Sequence, residues 1–216
     1  MTMDDPKRVI AGGYDRLSER YVEWSRGSVN DPVRPRYLAL LERVLPAGAV
    51  VLDLGCATGA LATARLATRF RVTGVDLSPR QIELARAAIP QARFICADMA
   101  EVRFPPASFD AVTSFYALNH LPRQELAPLL ASIAAWLRPS GLFVASFPAG
   151  NSPGNVEPNW LGVPMYFSGF DAETNVRLVE EAGLRIERAT VETIEEDGRP
   201  VQFLWVVARR IGNESL

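Results

Sequence analysis

From Val50 onward the chain alternates short apolar runs with segments whose apolar residues recur every three or four positions. The runs have the pattern of strands buried on both faces, and the periodic segments that of helices with one face on a core. The spacing predicts strands at 50–54, 71–75, 92–96, 109–115 and 142–147. Helices are predicted at 59–68, 78–90 and 123–137. Ser78-Pro79-Arg80-Gln81 is a strong helix start: Ser78 can cap, Pro79 suits the first turn and Gln81 completes a capping box. Ile82, Ala85 and Ile89 then face the sheet, as do Leu126, Leu129, Leu130, Ile133 and Leu137 in the later helix. Leu137-Arg138-Pro139-Ser140-Gly141 reads as a turn into the fifth strand.

At residues 148–164 the rhythm breaks into a stretch rich in proline and glycine, which predicts a long loop carrying Trp160. It reads either as a flap over a ligand or as a plain surface excursion. A helix follows at 171–182, ended by Gly183. Strands at 184–191 and 200–208 flank the hairpin-like turn Glu195-Glu196-Asp197-Gly198. Ahead of the alternating region, residues 8–26 place Tyr14, Leu17, Tyr21 and Trp24 on one helical face. That face either packs on the core or closes over a ligand. A loop at 27–35 and a helix at 36–45 complete the leader. Repeated strand–helix units with short links predict an α/β fold. Its sheet is doubly wound, mainly parallel and seven-stranded, with an antiparallel C-terminal strand. The implied division is an N-terminal helical lid at 1–45 and an α/β domain at 46–210 with a flap at 148–168.

Composition narrows the function classes. The 216 residues carry a net charge of −2, which argues against a broad nucleic-acid face. No apolar run has the length of a membrane span, and Met1–Pro6 lacks the apolar core of a signal peptide. The two cysteines, Cys56 and Cys96, have no zinc-type spacing, so no metal site is expected. A reduced, cytoplasmic protein is expected.

The chemistry concentrates where strands end. Val51-Leu52-Asp53-Leu54-Gly55-Cys56-Ala57-Thr58-Gly59 reads as a strand, a tight turn and a helix start, a site for a ligand close to the backbone. Asp53, Asp76 and Asp98 stand at the ends of successive strands, at intervals of 23 and 22 residues. In a parallel sheet that register places all three on one edge. An acid about 20 residues beyond a glycine turn suits two ribose hydroxyls, which describes Asp76. Asp98 could take a base amino group, and Asp53 could orient backbone amides or an ammonium group. Ala57 stands where a dinucleotide site would have its middle glycine, which favours a nucleoside with an amino-acid tail over a pyrophosphate.

Five motifs in order resemble the class I S-adenosylmethionine-dependent methyltransferases, over roughly residues 50–208. They are Asp53-Leu54-Gly55-Cys56-Ala57-Thr58-Gly59, Gly74-Val75-Asp76-Leu77-Ser78, Ala97-Asp98-Met99, Phe109-Asp110-Ala111-Val112 and Leu137-Arg138-Pro139-Ser140-Gly141-Leu142. The resemblance implies a Rossmann-like sheet, S-adenosyl-L-methionine as cofactor and S-adenosyl-L-homocysteine as product. It implies that Asp76 and Leu77 hold the ribose side, and that Asp98 and Met99 hold the adenine. Gly55, Ala57, Ser114 and Phe115 would surround the methionine part, and Asp53, Cys56 and Gly59 of the first motif belong to the same cofactor site. Tyr14 and Tyr21 match the spacing of a covering helix in similar small-molecule enzymes. Ala57 departs from the glycine usual in the family, and its methyl group would press on the cofactor's tail.

His120, the single histidine, and Tyr116 follow the fourth strand and are the candidates for contact with a methyl acceptor. A histidine there could equally bond to backbone and hold the turn before Pro122. The aromatic residues near the presumed mouth suit a flat or apolar small molecule. The expected activity is methyl transfer to an O or N atom of a small molecule, by a monomer or homodimer with no nucleic-acid or membrane partner. A non-methylating enzyme that keeps the cofactor, a binding module and a nicotinamide dehydrogenase are the alternatives.

Overall fold

A computed structural model describes residues 5–212. The expected lid begins at residue 1, so its first four residues lie outside the described part. Helix α1 (Pro6–Gly27) leads into a two-residue strand β1 (Val29–Asn30) and helix α2 (Arg34–Val44). The alternating part runs β2 (Val50–Leu54), α3 (Thr63–Leu66), β3 (Arg71–Asp76), α4 (Pro79–Ala88), β4 (Arg93–Cys96) and β5 (Phe109–Ser114). After a 3₁₀ turn at Leu118–His120 come α5 (Arg123–Trp136) and β6 (Leu137–Pro148). Strands β7 (Ser152–Trp160) and β8 (Val163–Gly169) precede α6 (Ala172–Glu181), β9 (Leu184–Glu196) and β10 (Arg199–Arg210).

Eight strands form an open sheet in the order β1-β9-β10-β6-β5-β2-β3-β4. The pairs among β6, β5, β2, β3 and β4 are parallel, and those of β10 with β6 and β9 are antiparallel. The expected α/β class and antiparallel end are present. The eighth strand is β1, whose Val29 and Asn30 pair with Glu196 and Glu195. Two residues are too short a run to show the alternation that marks a strand in sequence.

Successive residues of β2 point to opposite faces, and both faces are covered. Leu52 and Leu54 join the cluster of Leu129, Leu130 and Ile133 from α5 and Val179 from α6. Val51 faces the other way, toward Leu38 and Leu41 of α2 and Leu66 of α3. Ile82 and Ala85 of α4, with Ile89 just past its end, pack on Phe94 as their spacing predicts. Ser78 caps that helix, its Oγ accepting the Gln81 N–H at 3.1 Å.

Four expectations need correction. The helix at 59–68 shrinks to α3, because Gly59 takes a left-handed φ of +75° and Ala62 a non-helical φ of −135°, so regular helix starts only at Thr63. The turn at 137–141 is a bulge within β6, between the pairs Phe109–Leu137 and Ala111–Leu142. The loop at 148–164 is the start of a separate two-stranded hairpin, β7–β8, turned at Leu161-Gly162 with φ of +50° and +85°. Two consecutive positive φ angles match the twist of a tight hairpin, although leucine is not the usual residue for it. Helix α1 is kinked at Ser18, whose Oγ donates to the Asp15 carbonyl at 2.7 Å.

Helix α1 lies on the hairpin. Ile10 and Leu17 join Val163, Met165 and Tyr166 in one cluster, and a side chain at Gly13 would strike Met165. None of the described helices is long and apolar enough to cross a membrane.

Trp205 of β10 is fully buried, stacks on Tyr37 at 4.4 Å between ring centroids and lies 5.2 Å from Phe115. We expect Trp205→Ala to cost about 3–5 kcal/mol, read as a lower urea midpoint with an unchanged denaturant slope.

Candidate functional site

A cleft of about 700 Å³ opens at the carboxyl ends of the parallel strands and is roofed by α1. Its floor is Gly55 and Ala57 after β2, Asp76 and Leu77 at the end of β3, and Asp98 and Met99 beyond β4. Phe115, Tyr116 and His120 close one side, and Tyr14 and Tyr21 come down from α1. Eleven of the sequence-predicted residues thus meet in one place, as the strand register requires.

Asp76 organises the floor. Its Oδ2 accepts the Ala57 N–H at 2.8 Å and its Oδ1 the Ser78 N–H at 2.9 Å. Burial raises its pKa despite these donors. Each oxygen keeps a lone pair for a further donor. Ala57 holds a left-handed φ of +49°, a conformation that costs an alanine of order 1 kcal/mol. Its departure from glycine is therefore a backbone matter before it is a steric one.

Asp98 accepts the Ala100 N–H at 2.8 Å. Its other oxygen pairs with Lys7 of α1, whose ammonium also lies 3.1 Å from Glu125 and 3.4 Å from Glu101. Burial works against that charge, yet the bonds to Asp98 and Glu125 hold the Lys7 pKa above its usual value. Lys7 was not legible as a site residue, because a lone lysine in a polar leader carries no signal of a partner 91 positions away.

His120 stands with its ring between two partners. Its Nδ1 lies 2.7 Å from the Tyr166 carbonyl, and a carbonyl only accepts, so Nδ1 carries the hydrogen. Nε2 is then the acceptor for the Tyr14 hydroxyl at 2.8 Å. Burial lowers the imidazole pKa to about 4, against the Tyr166 bond, which raises it. The ring is therefore neutral at pH 7. Burial, with Tyr21 and Asp76 nearby, pushes the Tyr14 phenol well above its ordinary value.

Beyond this pair lies a wider chamber of about 1330 Å³. Tyr14, Tyr21, Tyr116 and His120 line both spaces and so form the partition between them. The far walls are Trp24, Trp160, Phe167 and Phe203, with Asn119, Arg34 and Glu196 as polar groups. Tyr116 takes a left-handed φ of +56°, is held by its N–H on Ser146 Oγ at 2.7 Å, and has the Arg34 guanidinium 4.8 Å over its ring. Strain of this kind in a bulky residue marks a position that the surroundings enforce.

Four predicted residues do not reach the cleft lining. Asp53 is buried beneath the turn, accepting Thr63 Oγ1 at 2.6 Å and Thr113 Oγ1 at 2.9 Å. It pairs with Gly74, so it lies on the same face as Asp76 but two positions further from the open edge, where Thr63 and Thr113 cover it. Cys56 is buried against Gly74 and Phe94. A side chain at Gly59 would meet Ile89 at the end of α4, so that glycine serves helix packing. Ser114 is buried and donates to the Leu54 carbonyl at 3.1 Å. A side chain at Gly55 would strike Ala117, so Gly55 answers to a protein neighbour even though it lines the cleft. No cluster of metal-ligating side chains exists among the described residues.

The donor set fits an adenosine cofactor with an amino-acid tail. Two carboxylates with spare acceptor capacity flank an apolar slot of Leu77, Met99 and Ile10. The Lys7 ammonium must share Asp98 with an adenine amino group or move aside.

Comparison with known proteins bears on this arrangement. The profile of a family described as a methyltransferase domain matches residues 51–141. O-methyltransferase cnsE of Penicillium expansum is 33% identical over 172 residues, 73% of this chain and 59% of that protein. The chain spans between 33% and 59% of the length of the curated relatives it matches. A Burkholderia thailandensis 1,6-didemethyltoxoflavin-N1-methyltransferase, solved with bound 1,6-didemethyltoxoflavin and S-adenosylhomocysteine, has a similar fold. Its TM-score is 0.72 at 23% identity, covering 98% of this chain and 92% of that one. The [4+2]-cyclase SpnF shares the fold at a TM-score of 0.70 and 17% identity, covering 94% and 95%.

The buried acid and the buried imidazole pull stability in opposite directions. Burial raises the Asp53 pKa from 3.8 to about 6, against the bonds from Thr63 and Thr113. The native state therefore binds the extra proton first, and stability rises as pH falls from 6 toward 3.8. His120, lowered from 6.5 to about 4, is protonated first in the unfolded chain, so stability falls as pH drops through that interval. Asp53→Asn removes the compensating gain. Its unfolding free energy is expected to fall more steeply than that of wild type between pH 7 and 4, by about 2–3 kcal/mol. Urea titrations across that range check this, and parallel profiles would contradict it.

Proposed function

The chain belongs to the class I S-adenosylmethionine-dependent methyltransferases, and from that premise we propose that it methylates an O or N atom of a small molecule. The observation that carries the reading is the partition. An acid-floored cleft suited to adenosine and an aromatic chamber suited to a small acceptor meet across Tyr14 and His120.

In this reading Asp76 and Leu77 hold the ribose, Asp98 and Met99 the adenine, and Gly55, Ala57 and Phe115 the methionine part. Asp53, Cys56, Gly59 and Ser114 support that floor from beneath without touching a ligand. S-adenosylmethionine supplies a methyl group already activated on a sulfonium. What remains for the protein is to align the acceptor and exclude water. Helix α1 serves as the lid and the β7–β8 hairpin as the flap, since each supplies a wall of the chamber.

His120 is a weak base, because its surroundings oppose the imidazolium. Its work is to hold the Tyr14 hydroxyl in one orientation, leaving the phenol oxygen free to accept a hydrogen bond from the acceptor. The acceptor's hydrogen bonds to that oxygen as it enters, which turns the acceptor's lone pair toward the methyl group, and the acceptor's proton leaves to solvent after transfer. Tyr116 shapes the acceptor's side of the partition. The free thiols of Cys56 and Cys96 suit a reducing cytoplasm. The oligomeric state we propose is a monomer or a homodimer.

Calorimetric titration with S-adenosylhomocysteine is expected to show one site, with no binding of a nicotinamide cofactor. Asp76→Asn should weaken that binding about tenfold or more, through the lost ribose contacts and the disturbed Ala57 turn. Tyr14→Phe and His120→Gln break the same hydrogen bond. Each should lower kcat about ten- to a hundredfold, and the double substitution should cost no more than either alone. Acceptor turnover without formation of S-adenosylhomocysteine would refute methyl transfer.

A further inference from the structure

We infer that the acceptor seated in the aromatic chamber carries a basic amino group on a flat apolar body, and that the carboxylate of Glu196 receives that group. The inference rests on the methyl-transfer reading of the same site and adds the chemical class of the acceptor.

Three charged side chains line the chamber: Arg34, Glu157 and Glu196. Arg34 is already neutralised, pairing with Asp31 at 2.9 Å and lying over the Tyr116 ring. Glu157 is exposed on the hairpin. Glu196 is half-buried, and its carboxylate has neither an ion pair nor a hydrogen bond among the described residues. Burial, with Asp197 and Asp31 nearby, raises its pKa. The neighbouring Asp197 is occupied, accepting the Trp24 indole N–H at 3.0 Å. The chamber's one uncompensated inward charge is therefore negative.

A carboxylate drawn out of water with no donor is unfavourable, and a ligand ammonium or amino group relieves that cost with a charge-assisted bond. The rings reinforce the preference. Tyr21, Trp24 and Trp160 lie 5.7–6.1 Å apart pairwise on the chamber wall. Their faces carry negative quadrupole charge, which attracts a cation and accepts a flat apolar body. The Trp24 bond to Asp197 ties this wall to the strand turn that carries Glu196. The same field repels a carboxylate or phenolate, and Arg34 is not free to offset it. An acidic acceptor is thus excluded by the same groups that favour a basic one.

Three near-isosteric probes test this on the full chain saturated with S-adenosylhomocysteine: 2-phenylethylamine, 2-phenylethanol and phenylacetate. Binding is read by calorimetry and by quenching of Trp24 and Trp160. The ammonium should bind about tenfold more tightly than the alcohol, and phenylacetate more weakly than both. Glu196→Gln should bring ammonium and alcohol within about threefold of each other, while Glu196→Asp, which keeps the charge, should retain a preference. Alcohol or carboxylate binding as tight as the ammonium would overturn the inference. So would a preference that survives Glu196→Gln, or failure of all three probes to bind. S-adenosylhomocysteine affinity of the wild-type protein, measured alongside, separates the two levels. Its loss overturns the methyl-transfer reading, whereas its persistence beside a missing ammonium preference overturns the acceptor class alone.

Discussion

The carboxylate of Asp76 joins two loops that would otherwise move independently. One oxygen holds the Ala57 N–H in the turn after β2, and the other holds the Ser78 N–H at the start of α4. Both loops lie at the open end of the parallel sheet, where backbone groups run out of strand partners. A single acid there satisfies two of them and keeps Ala57 in a left-handed conformation it would otherwise leave. Everything proposed for the cleft depends on that floor being set before a ligand arrives. Hydrogen bonds from within the protein hold the turn, and a turn so held lowers the ordering cost of binding.

Beneath the floor sits a second acid with a different task. Asp53 is sealed between Thr63 and Thr113, linking α3 to β5 through β2. Above it, the Tyr14–His120 bond ties α1 to the 3₁₀ turn, and the Tyr166 carbonyl ties that turn to the hairpin. These polar contacts lie in dry surroundings, where each is stronger than in water and costly to leave unmade. They connect layers that hydrophobic contacts alone would let slide. The result is a site whose floor belongs to the sheet and whose roof belongs to the leader helix and an inserted hairpin.

Legibility followed the range of the interaction. Asp76 and Asp98 were readable because one strand–helix unit separates them, so a parallel sheet returns them to the same edge. Ser78 was readable because a cap and its helix are neighbours in sequence. Asp53 obeys the same interval, but it pairs with Gly74 and so lies two positions deeper than Asp76, and its burial under α3 was not legible from spacing alone. The β7–β8 hairpin was hidden by its prolines and glycines, which masked the alternation of a strand. Lys7 and Glu196 were invisible in their roles, because their partners are distant in the chain or are absent from it.

The amino-acid order by itself determined the alternation of strands and helices, the parallel sheet, the edge that carries Asp76 and Asp98, and the aromatic face of α1. All of these follow from periodicity and local chain geometry, which act over one turn or one strand–helix unit. Only the tertiary structure decided which acid is buried, which faces the cleft and which is left without a partner. It also decided that Tyr14 meets His120 rather than the core. Those outcomes turn on side-chain direction and desolvation, and both arise when distant segments exclude water from one another.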